Sequence, residues 1–314
     1  MKKSDYQQYM INSIQKCVLL RFLLFCNKHM NRIGLLILFM LWTAALPWRS
    51  YGQSEPVNAA DSSKQDSIME KWHGIVTFQW QGLTWIGRPQ WGITHPKRPV
   101  WYDSEMVFVD DSNCVVVELY ENRREIKHSD TLLIRRWETG YCRSVEEFKY
   151  GTFEWEARMP YGTNLWPALW LASDSAWPPE IDCVEGWSNN NPKYNKGLFF
   201  KNMRPTMHWM EKGKLRSEPR YNIRRGWINK MDEYTTYKVI WTPEYVDIFY
   251  GDHLVKRFDN PYLLEQLNQP GLKMHPIMSM NVQPRFDDKD YKTYREAQKP
   301  FSIKSFKYSP LSEQ

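Results

Sequence analysis

Short apolar and aromatic runs alternate with turn-forming residues over most of the chain from about residue 71 onwards. The runs favour β-branched and aromatic side chains, and helical periodicity rarely extends over ten residues. Clear strand-like runs lie at 114–119, 151–159, 165–171, 237–241 and 246–250, separated by Pro, Gly, Asn and Asp clusters. Residues 261–268 predict a short helix. The pattern predicts one all-β domain, a sandwich or jelly roll, over residues 71–314.

The first 52 residues have a different pattern. A short basic start at Met30 is followed by an apolar run over 33–46 and by small residues up to Gly52. This order predicts an N-terminal extension with a secretory signal peptide that begins at Met30 and is cleaved near Gly52. A retained anchor is the alternative, although the run is short for a bilayer span. Residues 53–70 read as a polar linker, so we expect a secreted or periplasmic protein without a stable membrane span after cleavage.

Charge and cysteine content narrow the function classes. The net charge of +6 lies in the leader, which carries seven basic residues and one acid; the remainder holds 35 basic and 35 acidic residues. Nucleic acid is therefore not an expected partner, and we expect a monomer. After the leader only Cys114, Cys142 and Cys183 remain. This odd number gives no disulfide framework, and its spacing gives no zinc site.

Three acids lie close together in an otherwise apolar segment, Glu180, Asp182 and Glu185. On a helix their side chains would point in three different directions. On a strand Glu180 and Asp182 share a face, and one extra residue in a β-bulge would return Glu185 to that face. Pro178 and Pro179 exclude a helix through this segment. We therefore predict a bulged strand with three acids on one face and with Cys183 turned into the core.

Two carboxyl groups on one face suit glycoside hydrolysis, in which one acts as nucleophile and the other as acid/base. Asp182 between them would hold Glu180 and separate the pKa values of the two glutamates. A solvated acidic strand face or a calcium-binding cluster remain alternatives. The 16 Trp of the chain add flat surfaces that suit sugar rings, although for any single Trp a role as a core or loop anchor is the more common one. Trp187 shares parity with Glu185 after the bulge and is predicted to face the same cleft.

Four segments, in order, resemble glycoside hydrolase family 16. The acidic segment 180–185 resembles its catalytic signature in the longer, bulged form. The other three segments are Gly-Thr-Phe-Glu-Trp-Glu-Ala-Arg at 151–158, Leu-Trp-Pro-Ala-Leu-Trp-Leu at 165–171, and Thr-Tyr-Lys-Val-Ile-Trp-Thr-Pro at 236–243 with its following hairpin. The resemblance covers residues 71–308. It implies a concanavalin-like β-jelly roll of two packed antiparallel sheets with a concave cleft, and endo-acting cleavage of a polysaccharide with retention.

The resemblance also implies roles for individual residues. Glu180 would be the nucleophile, Asp182 its helper and Glu185 the acid/base. Sugar-binding positions would be Trp166, Trp170, Trp177, His208 and Asn281, although a histidine such as His208 is often merely packed. No cofactor is implied beyond a possible structural calcium ion, for which the sequence assigns no ligands.

Departures from the family pattern concern the substrate. Pro179 stands where a glycine often precedes the first glutamate, and the segment ending at Pro284 differs from that of β-1,3-glucanases. The polysaccharide could therefore be a β-glucan or an algal-type galactan. Two alternatives remain for the function: a non-catalytic carbohydrate-binding protein on the same fold, and a transglycosylase.

Overall fold

The computed structural model describes residues 76–89, 91–186, 203–219 and 233–311, all of which lie in one compact unit, Met69–Gln314. The predicted leader, the linker and Trp187 lie outside the described residues. Within them are eighteen β-strands and two α-helices. The elements in chain order are β1 (Thr77–Trp80), β2 (Leu83–Ile86), β3 (Val100–Tyr102), β4 (Val107–Val109), β5 (Val115–Val117), β6 (Leu119–His128), β7 (Thr131–Thr139), β8 (Tyr141–Ser144), β9 (Gly151–Arg158), β10 (Leu165–Ala172), β11 (Glu180–Gly186), β12 (Met203–Glu211), β13 (Lys214–Pro219), β14 (Thr235–Trp241), β15 (Val246–Tyr250), β16 (His253–Phe258), α1 (Pro261–Leu267), β17 (His275–Val282), α2 (Asp288–Ala297) and β18 (Phe301–Ser309).

The strands form two large sheets and one small sheet. The eight-stranded sheet has the order β1-β2-β8-β17-β10-β11-β12-β13, and the seven-stranded sheet has the order β16-β15-β14-β9-β18-β5-β4. The small sheet, β3-β7-β6, contains the parallel pair β3–β7. Buried side chains from both large sheets form one apolar core between them. The prediction of an all-β protein is confirmed.

Strand β9 shows how the sequence builds this core. Gly151, Phe153, Trp155 and Ala157 are buried, and the residues between them are half-exposed, which is the period-two pattern of a strand with one face in the core. Phe153 packs against Trp241 in the same sheet. Burying one aromatic side chain of this kind contributes about 1.5–3 kcal/mol. The strands predicted over 114–119, 151–159, 165–171, 237–241 and 246–250 are all present, as is the helix predicted at 261–268.

Helix α2 is an element that the sequence pattern did not predict. Its side chains are mostly polar, and only Asp290 and Tyr294 are buried, so it has no apolar stripe that periodicity could detect. The helix begins with a capping box in which Asp287 and Asp290 bind each other's backbone N–H groups. The acids at 287 and 290 therefore mark the start of a helix in the sequence itself. Within the described ranges, no helix has the length and apolar character needed to span a bilayer.

Candidate active site

Strand β11 contains the predicted bulge. Against β10, Leu169 pairs with Val184, whereas the next residue, Trp170, pairs with Asp182, so Cys183 is the extra residue. Glu185 lies opposite Ala168, and Glu180 lies opposite Ala172. Directly paired residues of antiparallel strands point to the same side of the sheet. Every second residue of a strand does so too, so residues 168, 170 and 172 lie on one side. The three acids therefore share one face, as predicted.

The neighbouring strands complete this face. On β12, His208 lies opposite Glu180 and Thr206 opposite Asp182. On β17, Asn281 lies opposite Trp166 and Ser279 opposite Ala168. We call this side of the eight-stranded sheet the acidic face; its members include Trp166, Ala168, Trp170, Ala172, Glu180, Asp182, Glu185, Thr206, His208, Ser279, Asn281 and Arg204, which lies opposite Glu185.

Cys183 is fully buried in the core and is a free cysteine. Its carbonyl oxygen accepts a hydrogen bond of 3.1 Å from the Tyr250 hydroxyl, which lies on the opposing sheet. Burial raises the pKa of the Cys183 thiol well above its usual range. The thiol thus packs as a small apolar group and is no candidate nucleophile. This confirms the predicted orientation of the bulge residue.

Glu185 is fixed by one hydrogen bond to each carboxyl oxygen. Trp166 Nε1 donates to Oε1 at 3.1 Å, and the Thr206 hydroxyl donates to Oε2 at 2.6 Å. An indole N–H can only donate, whereas a hydroxyl can turn and accept. When Glu185 carries a proton, Oε2 is therefore the oxygen that can hold it without losing a partner. Thr206 was not identified from the sequence, although it lies two residues before His208 and therefore on the same face.

Glu180 has two neighbours that favour its ionised form. Trp177 Nε1 donates to Glu180 Oε2 at 2.8 Å. His208 Nε2 lies 3.6 Å from Glu180 Oε1 and 3.3 Å from Asp182 Oδ2. The imidazole therefore faces both carboxyl groups, and a hydrogen on Nε2 would stabilise negative charge on either one. The predicted residues Trp177 and His208 thus contact the acids themselves.

The carboxyl groups of Glu180 and Asp182 interact strongly. Burial, reinforced by the neighbouring Asp182, raises the pKa of Glu180 to about 8. Burial also raises the pKa of Asp182 well above its usual range, with Glu185 as the next cause. Two carboxyl groups this close lose their protons in steps that belong to the pair. Because Asp182 is the more deeply buried, we assign the retained proton to Asp182, which leaves Glu180 ionised.

This pair predicts a pH-dependent stability. The Glu180–Asp182 pair retains one proton in the fold up to about pH 8, whereas carboxyl groups lose their protons near pH 4.5 in the unfolded chain. The pair therefore stabilises the fold below pH 4.5, and that contribution is lost as the pH rises towards 8. Glu180→Gln removes one carboxyl group of the pair and the repulsion between the two. We expect the variant to gain about 2 kcal/mol over the wild type in free energy of unfolding between pH 5 and pH 8. Urea unfolding at both pH values measures this difference. Parallel profiles for the two proteins would contradict it, and Glu156→Gln on β9 is the control.

The aromatic residues of the site fall into two groups. Trp166 and Trp170 are 7% and 9% exposed, so little indole surface is left for a sugar. Trp166 holds Glu185, and Trp170 Nε1 donates to Ser279 Oγ at 3.1 Å. Trp177 is 58% exposed and Trp91 is 37% exposed, with the Trp91 ring 6.1 Å from that of Trp170. The two exposed rings are the better candidates for sugar stacking, and Trp91 was not among the residues predicted to bind substrate.

Asn281 and Arg98 line the other end of the acidic face. The Tyr102 hydroxyl donates to Asn281 Oδ1 at 2.8 Å, and burial raises the pKa of Tyr102 to about 12. The Arg98 guanidinium lies 3.8 Å from the centre of the Trp166 ring and interacts electrostatically with all three acids. Arg98 lies in the loop before β3, where no sequence periodicity marks it, and it was missed.

Among the described residues, one group of three side chains could hold a metal ion, namely Glu180, Asp182 and His208. Calcium prefers six to eight oxygen ligands, which an imidazole and two carboxyl groups do not supply. The group also includes two of the predicted catalytic acids. It therefore does not match a structural calcium ion away from the cleft, and calcium ligands remain unassigned.

A family model described as "Glycosyl hydrolases family 16" matches residues 101–293, more than half of the chain. The match includes strands β4 to β17, all three acids and their hydrogen-bond partners. The chain belongs to glycosyl hydrolase family 16. The resemblance seen in the four sequence segments is thereby confirmed.

Curated relatives match over shorter regions. The chain is 32% identical over 113 residues to the endo-1,3-1,4-beta-glycanase ExsH of Rhizobium meliloti (strain 1021), which is 36% of this chain and 22% of ExsH. It is 31% identical over 131 residues to a beta-glucanase of Rhodothermus marinus, which is 39% of this chain and 42% of the relative. The chain thus spans less than half the length of these relatives.

Solved structures of polysaccharide-degrading enzymes share the fold. Porphyranase B from Zobellia galactanivorans has a TM-score of 0.60 at 14% identity, covering 76% of this chain and 89% of that chain. The laminarinase catalytic domain from Thermotoga maritima has a TM-score of 0.52 at 18% identity, covering 69% and 84%. The predicted β-jelly roll is confirmed.

Proposed function

We propose that this chain is an endo-acting glycoside hydrolase that cleaves internal β-glycosidic bonds of a polysaccharide with retention of configuration. The observation that carries the proposal is the bulge at Cys183, which brings Glu180, Asp182 and Glu185 to one face. Without the bulge Glu185 would point into the apolar core. Burying three acids without a task would be strongly unfavourable, and the family membership is consistent with a hydrolase.

In the first step, the Glu180 carboxylate attacks the anomeric carbon while Glu185 donates its proton to the glycosidic oxygen. A glycosyl-enzyme ester forms on Glu180, and the leaving sugar departs as an alcohol. Trp177 and His208 favour the ionised nucleophile because both place a nitrogen against its carboxyl oxygens. The proton retained on Asp182 prevents a second full negative charge beside Glu180.

In the second step, Glu185 acts as a base. It takes a proton from a water molecule, which attacks the anomeric carbon and releases Glu180. The hydrogen bonds from Trp166 and Thr206 keep the Glu185 carboxyl group in one orientation through both steps. The chemistry uses only carboxyl groups and water, so the proposal requires no cofactor.

The substrate class in this proposal is a β-glucan or an algal-type galactan. Relatives named as glycanases and glucanases favour the first, and the fold neighbour named as a porphyranase keeps the second open. Export belongs to the same proposal, because polysaccharides are degraded outside the cytoplasm and the apolar run at 33–46 suits a signal peptide. The proposed enzyme acts as a monomer.

Incubating the protein from Gln53 onwards with laminarin, mixed-linkage glucan, agarose, porphyran and carrageenans tests the proposal. We expect a rise in reducing ends with oligosaccharides of several sizes at early times, as internal cleavage gives. Proton NMR of the first product should show the β-anomer before mutarotation. A first product with the α-anomer would contradict retention. Binding without cleavage of any member would favour the non-catalytic alternative, and products longer than the substrate would favour a transglycosylase.

A further inference from the structure

Arg98 holds a half-buried guanidinium group without a polar partner. Within the part of the chain that the structure describes, its side chain makes no hydrogen bond and no ion pair; its contact is the stack on Trp166 at 3.8 Å. Desolvation lowers the pKa of Arg98, while Tyr102 and the three acids oppose this change. A guanidinium group stacked by its face keeps its N–H edge available, and that edge fits planar or tetrahedral anions with two hydrogen bonds.

The loop that carries Arg98 is firmly anchored. The Arg135 guanidinium on β7 donates to Thr94 Oγ1 and to the carbonyl oxygens of His95 and Pro96, at 3.0–3.2 Å. Arg135 is itself almost fully buried. The small sheet therefore holds the loop just before Arg98, and the stack on Trp166 holds the Arg98 side chain. A fixed side chain loses little conformational entropy on binding, which is a property of built ligand sites.

The loop carries a second positive charge beside Arg98. Lys97, the preceding residue, is exposed. The charges of Arg98 and Lys97 add to burial in lowering the pKa of His95 on the same loop.

A plain counter-ion role for Arg98 is the alternative. In that role the guanidinium would only offset the charge of the three acids, and its removal would affect every substrate equally. A counter-ion role leaves the N–H edge of Arg98 without a hydrogen-bond acceptor in a partly buried site.

We infer that Arg98 forms a subsite for an anionic substituent, a sulfate ester or a carboxylate, on the polysaccharide. Because Arg98 stacks on Trp166, whose N–H holds Glu185, the charged sugar would lie next to the bond that Glu185 protonates. This inference rests on the proposed function, because the roles of Glu180 and Glu185 set which way the polysaccharide lies in the cleft. It narrows the substrate class to acidic polysaccharides.

Binding measured in a Glu180→Gln background separates the subsite from turnover. The probes are laminarin and agarose oligosaccharides, each in neutral, sulfated and carboxymethylated form, tested by calorimetry at low and at 0.3 M salt. We expect about tenfold or tighter binding of one charged form over its neutral form, which is about 1.4 kcal/mol. Adding Arg98→Gln should reduce this preference to about twofold. Arg98→Lys should restore only part of it, because lysine lacks the planar edge with two parallel N–H donors. The sulfated and carboxymethylated arms identify the anion.

Lys304→Gln is the matched control, since it removes one positive charge from β18 in the other sheet. Equal weakening of neutral and charged forms by Arg98→Gln would overturn the inference in favour of the counter-ion role. Equal affinity of Glu180→Gln, with Arg98 unchanged, for the neutral and charged forms would also overturn it. If wild-type protein cleaves a neutral glycan without charge preference, the hydrolase proposal stands and the subsite falls. If the charge preference depends on Arg98 but nothing is cleaved, the subsite stands and the hydrolase proposal falls.

Discussion

Replacing Glu180 with Gln is expected to lower kcat on the preferred polysaccharide by at least about 10³-fold, or about 4 kcal/mol of activation free energy. The amide has nearly the shape of the carboxyl group and can still accept the hydrogen bond from Trp177 Nε1. It lacks the negative charge that forms the glycosyl-enzyme. The substitution therefore removes the nucleophile and leaves the surrounding contacts in place. Release of reducing ends under substrate saturation measures the loss.

Two controls make this result interpretable. Glu156→Gln makes the same chemical change on β9, where the side chain pairs with Lys304, and it should retain wild-type activity. Binding of the polysaccharide by Glu180→Gln should persist, because the variant loses a step of the reaction and no binding surface. Activity within about tenfold of the wild type would mean that Glu180 is not the nucleophile.

The bulged strand illustrates what the sequence could predict. The parity of Glu180 and Asp182 followed from the strand period, and the need to bring Glu185 to the same face required one extra residue. The structure contains that residue at Cys183. Predictions of this kind succeed because strand geometry is local. The same holds for β9, whose alternation of buried and half-exposed residues follows directly from its sequence.

Side chains that come from distant loops could not be predicted in this way. Arg98 stacks on Trp166 on β10, and Arg135 on β7 anchors the loop just before Arg98, so the arrangement joins three separate parts of the chain. The exposure of each Trp was equally hidden: Trp166 and Trp170 are covered, whereas Trp177 is open. Indole chemistry is the same in all three. What covers each ring depends on tertiary packing, which the alternation of residues along one strand does not reveal.

Replacing Glu185 with Ala is expected to slow cleavage of natural polysaccharide by about 10²–10⁴-fold, the usual contribution of a general acid or base. A sugar is a poor leaving group and needs its oxygen protonated. A dinitrophenyl glycoside needs no proton, so its glycosylation step should be nearly as fast as in the wild type, and the glycosyl-enzyme should accumulate on Glu180. An initial burst of dinitrophenol followed by a slow steady state measures this difference.

Azide then separates the roles of the two glutamates. This small anion needs no base, so in Glu185→Ala it should enter the space left by the carboxyl group, restore the steady-state rate and give a β-glycosyl azide. In Glu180→Ala it should attack the substrate directly and give the α-glycosyl azide, because only one displacement occurs. Since Trp166 Nε1 and the Thr206 hydroxyl lose their acceptor in Glu185→Ala, circular dichroism must first show a folded protein. An α-product from Glu185→Ala would reverse the assignment of nucleophile and acid/base.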